Sequence, residues 1–322
     1  MNPKVSIIIP TYNTSSYITK AIESALEQTE KNIEVIVVDD ASSDNTVEVV
    51  RKILDKRLKI LVNQSNQGPS YSRNRALQVA KGEWVALLDS DDWYEPQRLE
   101  ILLHTADVEN ANMIADNMHL IKDDAEYPHS TFFANEGISF NKPTKIDTVN
   151  LIDLSLSITK PLIKRDFLVR HSLEFNEALK YEEDFILFLF CLLKGAIFVV
   201  VPEAYYFYRT RTGSLMTKQR EFYEQAYKTN RYLLQQDITK QNPELLHSLS
   251  RRFFNIKQQR GYYRVKPFIK KRAFFGALIE AIKNPIFFWA LLVKLPVIFK
   301  HHTPGNLAML HPSFGNKNKA KK

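Results

Sequence analysis

The first 120 residues repeat one arrangement: a short run of Val, Ile and Leu, a polar turn, then a segment of helical period. VSIII, IEVIVVDD and EWVALLDSDD are three such runs, and LKILV and NMIADNMHLI supply two more. Short apolar runs of this kind, bounded by turns, read as strands buried on both faces, as in a parallel sheet. Helical periodicity covers about 16–28 and 45–54. A third helix starts at Pro69 and ends before Gly82, with Pro at its start and Gly past its end. Pro96 opens a fourth, PQRLEILLHTADVENA. Alternating β and α of this kind predicts an α/β fold, a doubly wound, mostly parallel sheet with helices on both faces.

Residues 123–157 read as a loop-rich insertion or acceptor lid. A helix is expected near 163–170, another over 183–194 ended by Gly195, and then a strand, AIFVVV. Past Met216 strand signals stop and Arg/Lys-rich helical segments take over. The expected organisation is an α/β domain over 1–215, with a first half at about 1–122 and a second half at 123–215. A basic, amphipathic helical extension over 216–322 follows, with a disordered tail at about 315–322.

Charge divides the same way. The net charge is +8, yet the chain from Thr217 onward holds 21 Lys+Arg against 5 Asp+Glu. The remaining 23 basic and 31 acidic residues leave 1–216 at −8. An acidic domain suits a cation site, and a basic extension suits an anionic surface. The lone cysteine, Cys191, lies in FILFLFCLL and reads as a buried small hydrophobe. The first apolar run is too short for a signal-peptide core, so a cytoplasmic location is the expectation.

Ligands of an open α/β sheet bind at the carboxyl ends of its strands. Those ends carry Pro10-Thr11-Tyr12-Asn13, Asp39-Asp40, Asn66-Gln67-Gly68-Pro69 leading to Arg73, and Asp89-Ser90-Asp91-Asp92. Three carboxylates at the end of a buried strand repel one another unless a cation neutralises them. Oxygen ligands select Mg²⁺ or Mn²⁺, usually held by one or two carboxylates and substrate phosphates. Glu183 and Asp184 precede an apolar helix, where the helix dipole favours a carboxylate and a general base would also fit. Arg209, Arg211 and Ser214, in YRTRTGS, suit a diphosphate.

The series VSIIIPTYN, IEVIVVDDASSDNT, NQGPSYSRNRAL and GEWVALLDSDD, in order over residues 4 to about 215, resembles the family-2 glycosyltransferases of GT-A fold. ITKPLIKRDFL, YEEDFILFL and YRTRTGS look most like bacterial exopolysaccharide and lipopolysaccharide enzymes, the succinoglycan type included. The resemblance implies that Thr11 and Tyr12 line the nucleobase pocket and Asp40 bonds the base edge. Arg73 would contact base or diphosphate, Asp89 the ribose, and Asp91 the metal bridging the phosphates. Asp184, at the helix start beside Glu183, would be the base of a single inverting displacement. Lys160, in ITKP, would point at the donor. Some relatives place a metal-ligating His in the YRTRTGS loop, and this chain has none there. The implied partners are a nucleotide-sugar, most like a UDP-sugar, and a saccharide on a lipid carrier.

KPFIKKRAFFGALIEAIKNPIFFWALLVKLPVIFKHH mixes cations with Phe, Trp and Leu, and its densest apolar run, about 286–299, is interrupted by Lys294 and Pro296. A span needs about 20 apolar residues. An interfacial helix on an anionic membrane is therefore expected, with a cap on the catalytic domain as the competing reading. A nucleic-acid partner is not expected, since no recognition motif accompanies the basic tail. A sugar-phosphate nucleotidyltransferase would need a Gly-rich loop where this chain has PTYNTS. A catalytically dead scaffold would lack acidic groups that are all present here.

Overall fold

The structure is a computed structural model and describes residues 2–211 and 218–288. The chain divides into two compact units at Arg211/Thr212.

In the first unit the strands are β1 (Val5–Thr11), β2 (Ile33–Asp39), β3 (Leu58–Val62), β4 (Trp84–Leu87), β5 (Trp93–Tyr94), β6 (Met113–Lys122), β7 (Ser130–Thr131), β8 (Thr144–Ile146), β9 (Leu162–Lys164) and β10 (Phe198–Thr210). The helices are α1 (Ile18–Leu26), α2 (Thr46–Arg51), α3 (Pro69–Val79), α4 (Arg98–Glu109), α5 (Phe132–Glu136), α6 (Thr148–Asp153), α7 (Arg165–Arg170) and α8 (Glu183–Leu193). One sheet runs β3-β2-β1-β4-β9-β6-β10-β5. The β1–β2, β1–β4, β2–β3 and β6–β10 pairs are parallel, while β9 lies antiparallel between β4 and β6.

Every residue of β2 and β4 is buried, as strands covered on both faces require. On α1 the buried set is Ile18, Ala21, Ile22 and Ala25, the i, i+3, i+4, i+7 stripe that seats a helix on a sheet. Each large side chain buried in this way contributes roughly 1.5–3 kcal/mol. Gly82 lets β4 begin against β1: a Cβ there would lie 2.4 Å from the Ser6 nitrogen. On α8, Phe185 to Leu189 form an unbroken buried apolar run, and Cys191 is buried beyond it. Burial pushes the Cys191 thiol up to about 12, so it stays a neutral packing group.

Three expectations need correction. The helix expected near 163–170 begins as β9, and only Arg165–Arg170 is helical. Ile163 pairs with Val85 and Met113, so filling the sheet overrides local period. The strand AIFVVV does not stop: β10 runs on to Thr210, with register irregularities around Ala204. Pro202 interrupts the ladder there, and a bulge absorbs it. Arg209 therefore lies on a strand, paired with Ile121, and not on a loop. The segment 123–157 also holds more than loop, namely β7, α5, β8 and α6.

The second unit holds α9 (Gln219–Gln235), α10 (Asp237–Lys240), α11 (Pro243–Lys270) and α12 (Phe274–Lys283). Tyr223 and Ala226 of α9 pack on Ile256 of α11. Glu224 binds Arg260 at 2.9 Å and also Arg264. Val265, Ala277, Ala281 and Phe287 form a second small core. No helix among the described residues is long and apolar enough to cross a membrane.

Candidate active site

The carboxyl ends of β1, β2 and β4 meet along one edge because these strands are parallel neighbours. At the end of β1, Thr11 is buried and shares a 2.5 Å hydroxyl contact with Thr14, whereas the Tyr12 ring is 47% exposed. Asp40 follows β2, and its carboxylate accepts from Asn63 Nδ2 at 2.7 Å and from the Gln67 and Gly68 N–H groups at 2.9 and 2.8 Å. That grip needs Gly68 at φ +91°, a conformation that suits glycine. Asp40 thereby fixes the turn that opens α3.

Arg73, one turn into α3, is 4% exposed. Its NH2 donates to Asp89 Oδ1 and its NH1 to Glu183 Oε1, both at 2.9 Å, with Asp184 Oδ1 3.5 Å away. Lys160 Nζ, also buried, lies 3.0 Å from Asp89 Oδ2 and 2.9 Å from Asp184 Oδ2. Two cations, from α3 and from the segment before β9, thus link three carboxylates drawn from the turn after β4 and the start of α8. Burial alone would push the Asp89 carboxyl up, but Lys160 and Arg73 hold it well below the usual range. Burial likewise opposes the charges of Lys160 and Arg73, and Asp184 and Asp89 reverse this, raising both.

Glu183 behaves in the opposite way: burial, then the neighbouring Asp184, push its carboxyl up to about 7. A group whose folded value exceeds its unfolded value binds its proton more tightly when folded, so stability is lost as pH rises through that interval. Between about pH 4.5 and 7, Glu183 should therefore lower stability, with a slope of at most about 1.4 kcal/mol per pH unit. Thermal melts of Glu183→Gln against the parent should diverge in favour of the variant as pH rises from about 5 to about 8. A constant difference in melting temperature across that range would refute this assignment.

The other half of the site surrounds Asp91 and Asp92. Tyr206 donates its hydroxyl proton to Asp92 Oδ2 at 2.7 Å and accepts the Asp89 N–H at 3.2 Å. Arg209 donates its backbone N–H to Asp92 Oδ1 at 2.8 Å and its Nε to the Asp91 carbonyl at 2.9 Å. Its guanidinium lies over the rings of Trp93 and Tyr17, at 4.8 and 5.2 Å. Arg211 Nε meets Asp91 Oδ2 at 2.6 Å. Burial raises the Asp92 carboxyl well above its ordinary value, with Asp91 and Asp89 adding to it. Asp91 is also raised, by burial first and by Asp89, against the pull of Arg211.

These contacts sort the acidic cluster. The oxygens of Asp89 are taken by two cations, and those of Asp92 by a hydroxyl and an amide. Asp91 is left as the carboxylate facing a single guanidinium. Among the described residues no three His, Cys, Asp or Glu side chains converge as a cation cage. One carboxylate plus substrate phosphates is the usual Mg²⁺ arrangement, so Asp91 fits a divalent ion carried in with a diphosphate.

The site residues expected from sequence come together at one edge of the first unit, except Ser214, which lies outside the described residues, as do the tail and Lys294 and Pro296. Sequence reasoning missed Tyr206, Trp93, Tyr17 and the buried Arg98–Asp116 pair. Tyr206 and Trp93 show in the sequence only as aromatic residues within strands, while Tyr17, at the start of α1, and the Arg98–Asp116 pair, split between α4 and β6, give no signal of their own.

This is the GT-A fold of nucleotide-sugar transferases, with its ligand edge at the parallel strand ends. Residues 6–165 match the glycosyl transferase family 2. Succinoglycan biosynthesis protein ExoO of Rhizobium meliloti is 31% identical over 88% of this chain and 82% of its own length. The chain therefore belongs to glycosyltransferase family 2. An Escherichia coli relative, UDP-Glc:alpha-D-GlcNAc-diphosphoundecaprenol beta-1,3-glucosyltransferase WfaP, is 40% identical over 37% of this chain and 47% of its own. The crystal structure of S. aureus TarS 1–349 with UDP-GlcNAc superposes with a TM-score of 0.64 at 26% identity, covering 89% of this chain and 79% of that one.

Proposed function

We propose that this glycosyltransferase moves a sugar from a UDP-sugar, with inversion and with Mn²⁺ or Mg²⁺, to a hydroxyl of a lipid-linked saccharide in surface-polysaccharide synthesis. The observation that carries this reading is the Arg73–Lys160 clamp, which gathers Asp89, Glu183 and Asp184 beside Asp91 at the strand edge. The uridine donor rests on relatives named for UDP-glucose or crystallised with UDP-GlcNAc, and the lipid carrier on the diphosphoundecaprenol substrate of the E. coli relative.

In this reading Tyr12, half exposed, stacks on the base beside Thr11. Asp40 offers the base edge what its three protein hydrogen bonds leave over. Asp89 would hold the ribose, Asp91 would hold the metal beside the diphosphate, and Arg209 and Arg211 would serve the leaving group; Ser214, expected to join them, lies outside the described residues. The bound ion would neutralise charge growing on the departing diphosphate. Arg211 would share that task once released from Asp91. Asp184 takes the acceptor proton as the acceptor oxygen attacks the anomeric carbon and the C–O bond to phosphate breaks on the opposite face. One displacement inverts the anomeric centre.

An inactive scaffold that has lost its donor site predicts no response to nucleotide-sugars, and one that keeps the site predicts binding with no release of UDP. A screen for Mn²⁺-dependent thermal stabilisation tests this directly, because a ligand that binds only the folded state raises its melting point. UDP-sugars should stabilise, and silence from every nucleotide-sugar would refute the reading.

The second unit supports a place on the anionic inner face of the plasma membrane. While Ala277 and Ala281 of α12 are buried, Phe274 and Phe275 on its outer side are 69% and 78% exposed, with Leu278 and Ile282 also exposed. Lys270, Lys271, Arg272 and Lys283 flank this face and are exposed. Aromatic residues ringed by cations suit the interface, each cation contributing about 1 kcal/mol near anionic lipid. The double variant Phe274→Ser/Phe275→Ser should weaken sedimentation with phosphatidylserine vesicles, and salt should weaken it further. A chain ended after Phe288 keeps Phe287 in its small core, and should still bind nucleotide. Full-length protein that ignores anionic vesicles would rule out the membrane role.

A further inference from the structure

The cation pair in the site is asymmetric. Arg73 belongs to a helix, whereas Lys160 is held in place by a buried structure beneath it. The Lys160 carbonyl accepts from Arg98 NH2 at 2.5 Å. Arg98 is fully buried and binds Asp116 through NH2 at 2.7 Å and Nε at 3.1 Å. The rings of Tyr94 and Tyr206 lie 4.3 and 5.2 Å from the guanidinium carbon. Asp116 Oδ2 in turn accepts the Tyr205 N–H at 3.0 Å. Pro161 follows Lys160 and biases its backbone to the extended region. The Arg98–Asp116 support below Lys160 is buried and hydrogen-bonded on both sides, which fixes the backbone from which the ammonium reaches the site.

The ammonium lies between two carboxylates with different tasks. It spans Asp89 Oδ2 and Asp184 Oδ2 at 3.0 and 2.9 Å. Asp184 Oδ1 remains buried and without a hydrogen bond, 3.5 Å from Arg73 NH1. A buried acceptor left open is costly unless a ligand fills it. An acceptor hydroxyl would fill it.

Building on the function proposed above, we propose that Lys160 is a positioning residue: it occupies Asp184 Oδ2, ties it to the ribose-side Asp89, and leaves Oδ1 as the atom that receives the acceptor proton. This departs from the expectation that Lys160 contacts the donor itself. It also couples the two substrates, since ribose binding at Asp89 and the orientation of Asp184 share one ammonium. The chemistry fits lysine: a compact ammonium carries three donors at one point, whereas a guanidinium spreads its donors across a plane.

The test uses Lys160→Met, Asp184→Asn and the pair, with calorimetric binding of UDP and Mn²⁺, UDP release from UDP-glucose to water or acceptor, and a crystal structure of Lys160→Met. Turnover in Lys160→Met should fall by at least about tenfold while the Kd for UDP moves less than about threefold. Adding Lys160→Met to Asp184→Asn should cost no further turnover at saturating donor, because the lysine acts on the chemical step through that carboxylate. In the crystal structure the Asp184 carboxylate should rotate away from its present position. Where Lys160→Met fails to fold, Lys160→Arg keeps the charge and should show the same split. Independent, multiplicative losses in the pair would overturn the proposal. So would weakened UDP binding with full turnover at saturation, or an Asp184 carboxylate that stays in place. A parent protein that releases UDP from no donor would instead sink the proposed function, and the crystal structure would still decide the role of Lys160.

Discussion

Asp184→Asn should lose about 10²–10⁴-fold in turnover, the usual weight of a general base, and keep its affinity for UDP. The carboxamide is the same size, and its oxygen can still accept from Lys160, which now holds Asp184 Oδ2 at 2.9 Å. The fold should survive for that reason, and the loss should sit in kcat. What disappears is the basicity of Oδ1, the buried oxygen with no hydrogen-bond partner. Kinetics at saturating donor, alongside calorimetric UDP binding, separate the outcomes. A variant that keeps its turnover and loses only donor affinity would make Asp184 a binding group, and the base would have to be sought at Glu183.

Asp91→Ala should abolish the Mn²⁺-dependent part of donor binding and leave the circular dichroism unchanged. Asp91 sits in the turn after β4, with Arg211 as its ion-pair partner at 2.6 Å, so its removal opens no core cavity. A ligand at about 100 times its Kd stabilises the folded state by about 2.7 kcal/mol. The variant should forfeit the metal-dependent share of that stabilisation. Arg211 also makes the expectation specific: in the parent, Mn²⁺ must compete with a guanidinium for this carboxylate. Unchanged Mn²⁺-dependent stabilisation by UDP in Asp91→Ala would remove this residue from the metal site.

The parallel core was legible because its signals are local. VSIII, IEVIVVDD and WVALL are buried along their whole length, and each ends in a polar turn that carries a candidate site residue. Thr11, Tyr12, Asp40, Asp89 and Asp91 stand in those turns, and the role expected of each comes from the family resemblance. The antiparallel part was harder. LIK has no strand signature, and it is extended because it fills the gap between β4 and β6. The extension of β10 through Pro202 was hidden for a similar reason, since a bulge lets the strand resume. Arg209 was consequently expected on a loop, although the residue itself was identified. The Arg98–Asp116 support beneath Lys160 had no sequence signature, because the partners are 18 residues apart on α4 and β6. Only the packing of those elements brings them together.

The central claim is a single displacement at this edge: donor carbon attacked from one side, diphosphate leaving on the other, proton delivered to Asp184. The anomeric configuration of the product tests it most directly. Transfer from an α-configured UDP-sugar, followed by proton NMR of the product, should give a β-linkage with the large anomeric coupling of a trans-diaxial pair. An α-linked product would contradict the account, because retention requires a second displacement or a front-side attack and would remove the role assigned to Asp184.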